Sequence, residues 1–305
     1  MTDPGRTIPA GDLPVGADPA GIGPVAATRP YAEVIGDPIA QSKSPAIHGH
    51  WLAGLGMAAD YGRAHVLPHE LPDYIASRRR DPLWRGCNVT MPHKETIIPL
   101  LDGLDPLAAR IGAVNTVAVK GDGRLIGYNT DAPGFIEPLL PVLSDELAPD
   151  NALVLGAGGA ARAIVVALAD AGIAITLAAR DPAKARALLD ELAPGARHRA
   201  ASLADFATGG DYAFGMVVNA SPLGMVGNPP LEFSLDHARP AAIVYDIVTA
   251  PLETPLLAAA RAEGMRCVDG LTMLIGQAAI AFEHFYGADA RREQGDVALR
   301  AILTA

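Results

Sequence analysis

The stretch from Asn151 to Ala178 constrains the fold more than any other part of the chain. Asn151 to Leu155 is a short run of small and branched apolar residues, the pattern of a buried strand. It runs directly into Gly156-Ala157-Gly158-Gly159-Ala160-Ala161-Arg162, and an alanine-rich segment of helical character follows to Ala171. Gly172 ends that helix, and Ile173 to Ala178 reads as the next strand. A strand, a glycine loop, a helix and a second strand make a complete dinucleotide-binding unit. Gly156 supplies the tight turn, Gly158 lets a phosphate approach the backbone, and Ala161 stands at the third fingerprint position. Ala157, Gly159 and Ala160 complete a loop whose amides and helix N-terminus suit a pyrophosphate. A plain strand-to-helix turn also uses glycine. The strand before the loop and the helix after it are the context that favours the nucleotide.

The second strand ends in Ala179-Arg180-Asp181, where the ribose contact belongs. An acid there favours the free 2′-hydroxyl of NAD, and an arginine accommodates the 2′-phosphate of NADP. Both are present. Asp181-Pro182 also has the form of an N-cap and first-turn proline, which turns the acid away from the ribose. NADP is therefore the expected cofactor, with NAD not excluded. Asn219-Ala220-Ser221-Pro222-Leu223-Gly224-Met225 leaves the end of a later strand. Ligands lie beyond the carboxyl ends of strands in such sheets, so Asn219 and Met225 are expected beside the nicotinamide.

At 305 residues the chain exceeds what one core usually organises, so two domains are expected. Residues 1–29 are rich in Pro, Gly and Ala without helical or strand period, and read as a disordered tail that lacks the basic start and apolar block of a signal peptide. No apolar run is long enough to span a bilayer. A formal charge of −10 argues against a nucleic-acid partner. The two cysteines, Cys87 and Cys267, give no disulfide framework and suit a cytoplasmic protein. His48 and His50 lie on different faces of a helix, and no Cys/His cluster has zinc spacing, so no metal is expected.

Ahead of the glycine loop, strands and helices alternate. Strands are expected at Tyr31 to Gly36, Ala64 to Leu67 and Arg85 to Val89. Ser44-Pro45 opens a helix as N-cap and first-turn proline, and further helices are expected over Pro68 to Arg80 and Pro92 to Leu101. Lys120-Gly121-Asp122-Gly123 joins a hairpin, and a helix follows Asp131. Beyond the nucleotide unit come buried strands at Met216 to Asn219 and Ile243 to Ile247, then helices over Leu271 to Phe285 and after Asp289. In this reading Lys94 lies in the first turn of a helix, where a cation opposes the macrodipole at a cost of ~0.3–1 kcal/mol, a hint of function.

Four segments carry polar residues at element ends: residues 36–45 (GDPIAQSKSP), 88–94 (NVTMPHK), 112–116 (GAVNT) and 127–131 (GYNTD). With the glycine loop and the late Asp269 to Ala279 segment, their order and wording closely resemble the shikimate dehydrogenase family. The resemblance spans about Tyr31 to Tyr286. It implies that Ser42 and Ser44 hold a substrate carboxylate, that Lys94 is the catalytic acid–base group, and that Asp131 is its partner at the substrate. It further implies that Thr90 and Asn115 bond ring hydroxyls, and that Gln277 and Tyr245 touch the substrate. Hydroxyls beside a helix N-terminus do suit an anion. Taken alone, Asp131 reads as an N-cap before Pro133, and Tyr245 as a buried core tyrosine, whereas Ser42 has no such structural explanation. Ala179, Asp181 and Ala132 depart from residues common in the family.

The expected fold is α/β. A substrate domain over 30–131, completed by C-terminal helices over 266–305, faces a Rossmann-like cofactor domain over 132–265 across a cleft. The resemblance implies reversible, NADPH-dependent reduction of 3-dehydroshikimate to shikimate, on the route to chorismate and the aromatic amino acids, by a monomer or homodimer. An NAD-dependent quinate/shikimate dehydrogenase, a non-catalytic nucleotide-binding regulator and a related dinucleotide enzyme such as a methylene-folate dehydrogenase are the alternatives; Asp181 keeps the first open, Lys94 with Asp131 counts against the second, and the paired serines with Asn115 count against the third.

Overall fold

A computed structural model describes residues 27–144, 148–210 and 214–304. The disordered tail expected at the N-terminus lies, through residue 26, outside the described residues. Two sheets organise the chain. The first begins with β1 (Tyr31–Gly36), α1 (Ser44–Gly54), β2 (Asp60–His65), α2 (Leu71–Arg78) and β3 (Trp84–Val89). It continues through β4 (Gly103–Leu104), α3 (Pro106–Ile111), β5 (Thr116–Val119) and β6 (Leu125–Tyr128). The strand order is β2-β1-β3-β5-β6-β4. β1 pairs in parallel with β2 and β3, whereas β3–β5 and the β5–β6 hairpin are antiparallel.

After α4 (Asp131–Ile136) and α5 (Leu140–Leu143), the second sheet starts with β7 (Asn151–Leu155), α6 (Gly159–Asp170), β8 (Ala174–Ala179), α7 (Pro182–Leu192) and β9 (Arg199–Ser202). β10 (Phe214–Asn219), β11 (Ala238–Asp246), α8 (Pro255–Ala262) and β12 (Arg266–Val268) complete it. Its order is β12-β11-β10-β7-β8-β9, and every pair is parallel. That is the doubly wound order 3-2-1-4-5-6 read from the far edge. Its switch point lies between β7 and β10, so the crevice opens at Leu155 and Asn219.

The chain ends in α9 (Gly270–Tyr286) and α10 (Arg292–Thr304). Both return to the first sheet: Leu271, Ile275, Phe282, Leu299 and Leu303 share one buried cluster with Val34, Ile47 and Trp51. α9 also crosses α4 at backbone distance, since a Cβ added to Gly134 would fall 2.5 Å from the Gln277 amide nitrogen. Among the described residues no helix is long and apolar enough to cross a membrane.

Several local expectations are corrected. The second strand begins at Asp60 and ends at His65, and the polar helix spans only Leu71–Arg78. No α-helix forms over 92–101; a chain of turns there ends in a 3-10 turn at Ile98–Leu100. Pro99 has no amide to donate, and Thr96-Ile97-Ile98 is a β-branched run, so a regular helix is disfavoured. Lys94 therefore opposes no helix dipole. Arg266 to Val268, expected with the C-terminal helices, pairs as β12 with β11.

Candidate active site

Lys94 and Asp131 meet where the two halves adjoin. Lys94 leaves the end of β3 in a turn, anchored by its own carbonyl, which accepts from the Val114 amide at 2.7 Å. Its Nζ donates to Asp131 Oδ2 at 2.6 Å, with the two side chains 16% and 9% exposed. Asp131 is the first residue of α4 and does not cap it. Asn129 Oδ1 instead accepts from the amides of Asp131 and Ala132 at 3.1 and 3.2 Å, an Asx turn that aims the carboxylate at Lys94. The second carboxylate oxygen, Oδ1, accepts from Asn115 Nδ2 at 2.9 Å. The same amide nitrogen lies 2.9 Å from Thr130 Oγ1 and 3.3 Å from Gln277 Oε1. Lys94 from the turns after β3, Asp131 from α4, Asn115 from the position just before β5 and Gln277 from α9 thus converge.

Behind them runs a buried chain that the sequence reading did not single out. Tyr61 OH donates to Asn88 Oδ1 at 2.5 Å, Asn88 Nδ2 to Thr116 Oγ1 at 3.0 Å, and Thr116 Oγ1 to Asn115 Oδ1 at 3.2 Å. The bonds share one direction, which fixes both amide orientations. The signal lay in polar residues on otherwise apolar strands, since a buried Asn or Thr there requires partners. Beside Tyr61 lie Ser44, 6% exposed, and the parallel ring of His48, 3.9 Å away and fully buried. Burial lowers the His48 pKa to about 3, with Asn88 opposing.

Ser44 is the first residue of α1; Lys43 holds the cap position, without a side-chain cap bond. The loop is closed by Ser42, whose Oγ accepts from the Ser44 amide at 3.3 Å. Ser42 therefore does have a structural role, contrary to expectation. Thr90, half-buried, anchors its amide to the Ile35 carbonyl at 2.9 Å. Tyr245 is corrected outright. It has zero exposure and stacks on Phe135 at 4.8 Å in the core of the second sheet, so no substrate reaches it in this arrangement. Burial raises its hydroxyl pKa well above the usual tyrosine range.

The glycine loop joins this cluster. A Cβ on Gly159 would lie 3.5 Å from Lys94 Cδ. Gly156 has φ +111°, and an added Cβ would sit 2.9 Å from Ser221 Cβ in the loop after β10, so only glycine fits. Gly158 is exposed and caps α6 with extended backbone; a Cβ there meets nothing within 4 Å. A strained glycine below and open space above the first turn of α6 suit a pyrophosphate. Ala157 and Ala160, with Gly159, are the half-buried remainder of the loop and first turn.

Arg180 is exposed directly after β8. Asp181 turns inward, Oδ1 accepting from the Ala183 amide at 2.9 Å as the N-cap of α7. Asn219 differs from expectation. It is fully buried, and its amide holds Leu223 O at 3.1 Å, Asp246 Oδ1 at 3.0 Å and Ser221 Oγ at 2.7 Å. It shapes the loop that presents half-buried Met225.

Residues 34–117 match the family model described as the shikimate dehydrogenase substrate binding domain. The chain is 51% identical to an NADP(+)-dependent shikimate dehydrogenase of Sphingopyxis alaskensis over 90% of this chain and 97% of that one. It is 49% identical to its counterpart in Methylobacterium radiotolerans over 85% and 92%. Among solved structures, shikimate 5-dehydrogenase of Thermus thermophilus in complex with NADP(H) and shikimate is 36% identical, with a TM-score of 0.75 over 89% of this chain and 99% of that one.

Proposed function

Because the chain belongs to the shikimate dehydrogenase family, we propose that it reversibly reduces 3-dehydroshikimate to shikimate with NADPH. The observation that carries this reading is the Lys94–Asp131 pair at 2.6 Å against the first turn of the glycine-loop helix. Gly156 to Ala160 take the pyrophosphate, and Arg180 takes the 2′-phosphate through paired hydrogen bonds. NADPH, when bound, supplies the hydride.

The chain's own residues do the rest. Ser42 and Ser44 hold the substrate carboxylate at the start of α1. Asn115, Thr90 and Gln277 bond the ring hydroxyls and set which carbon faces the cofactor. Lys94 donates its proton to the ketone oxygen as that oxygen becomes alkoxide-like, and in the reverse direction takes a proton from the hydroxyl formed there. Asp131 holds the lysine in place and is itself held by Asn115. The first sheet with α9 and α10 presents the substrate, the second sheet the cofactor, and the space between them excludes water during transfer.

Lys94→Ala tests the assignment. Its turnover number is expected to fall by about two orders of magnitude or more while KM for shikimate changes far less, because a general acid acts in the transition state. Near-normal turnover in the folded variant overturns the role.

A further inference from the structure

Arg162 lies one turn into α6, its amide donating to the Gly158 carbonyl at 3.2 Å. It is the one charged residue of the glycine-loop segment, and the chemistry above leaves it unused. Its side chain is 13% exposed and reaches to the end of α3. Nε donates to the carbonyl of Ile111, the last residue of α3, at 2.6 Å. A terminal helix carbonyl has no partner within its own helix, and a cation there also meets the negative end of the dipole. Glu191 on α7 holds the other side of the guanidinium.

The approach is close enough to dictate the next residue. Gly112 has φ +68°, and a Cβ there would sit 2.6 Å from Arg162 Nη2. From Gly112 the chain runs straight into the site. The Ala113 carbonyl accepts from Asn129 Nδ2 at 2.9 Å, the Val114 amide donates to the Lys94 carbonyl at 2.7 Å, and Asn115 reaches Asp131. One side chain therefore joins the helix that carries the glycine loop to the segment that carries Asn115. The ion pair between the same helices, Arg110–Asp170, is about half exposed and screened by solvent.

We propose that Arg162 is a positioning residue that couples the two binding steps, so that an occupied glycine loop sets Asn115, Lys94 and Asp131 for the substrate and the reverse. This rests on the reading of the site as one for shikimate and NADP. Linkage requires the coupling to be mutual and equal.

The test is the dissociation constant of shikimate, by calorimetry, with and without saturating NADPH, a pair that cannot react, and of NADPH with and without shikimate. The wild type is expected to show tightening of about five-fold or more, equal in both directions. Arg162→Ala is expected to bring that ratio close to one while each ligand bound alone loses less than the ratio does. Arg162→Lys, which keeps the charge but not the planar fork, is a milder variant for which the ratio also falls. A wild type that turns over shikimate with NADP+ yet shows no coupling overturns the proposal and leaves the functional reading standing. So does a folded variant with the wild-type ratio, or one in which both affinities drop equally. A protein that neither binds nor oxidises shikimate overturns the functional reading itself.

Discussion

At the scale of residues, the site is built from side chains whose neighbours leave them one arrangement. Asn115 Nδ2 lies 2.9 Å from both Asp131 Oδ1 and Thr130 Oγ1, and its Oδ1 accepts from the Thr130 backbone at 2.7 Å. His48 shows what this order requires. Its ring stays neutral in the folded chain, with a pKa of about 3 against 6.5 for an exposed histidine. Between those values the unfolded chain binds a proton that the folded chain does not, so the stability present above pH 6.5 is lost as pH falls towards 3. His48→Gln removes this share. Urea melts at about pH 7 and about pH 4.5 are expected to differ less in the variant than in the wild type. An equal or larger pH difference in the variant contradicts the buried neutral imidazole. That Lys94 and Asp131 meet was legible at this scale, because both sit in specific motifs. Asn88, Thr116 and Tyr61 were not singled out, because a hydrogen-bond relay across strands depends on register, which single positions do not reveal.

At the scale of elements, the glycine loop with its flanking strands was legible almost to the residue, since the loop, the alanine-rich helix and Gly172 each demand a particular backbone. Arg180-Asp181-Pro182 was resolved by the cap rule, and Asp181 does cap α7. Arg180→Ala is accordingly expected to raise KM for NADP+ and barely alter that for NAD+. Asp181→Ala is expected to cost about 1 kcal/mol of stability and leave cofactor preference nearly unchanged. A loss of NADP+ preference in Asp181→Ala contradicts this division of roles. Elsewhere the period of apolar residues misled. Residues 92–101 carry a helical pattern, but Pro99 and the β-branched run break it, and the argument from a misplaced cation at Lys94 fails with it. The short elements β4, α3, β9, α8 and β12 were missed, being too brief for periodicity to register. Tyr245 was misjudged because a tyrosine on a central strand reads alike in sequence whether it lines a site or fills a core.

At the scale of the molecule, a chain that leaves the first sheet for the second and then returns places the site between them. α4 and α9 cross where this happens, and the crossing depends on bare backbone: Gly134 faces Gln277, and a Cβ on Gly276 would lie 2.7 Å from Glu137 Oε2. Gly134→Ala is expected to force the helices apart, at about 1–3 kcal/mol of stability, and to displace Asp131 and Gln277 together. Chemical melts and turnover on the same preparation check this; a variant with unchanged stability and unchanged turnover contradicts the close crossing. The two-domain α/β plan was readable from length and from the doubly wound unit. The exact partition was not, because β12 lies in the second sheet immediately before α9 returns to the first. The central claim, a shikimate dehydrogenase that uses NADP, is tested most directly by initial rates of the purified chain with shikimate and with quinate, each with NADP+ and with NAD+. The account predicts that shikimate with NADP+ gives by far the highest kcat/KM of the four; quinate with NAD+ in first place would contradict it.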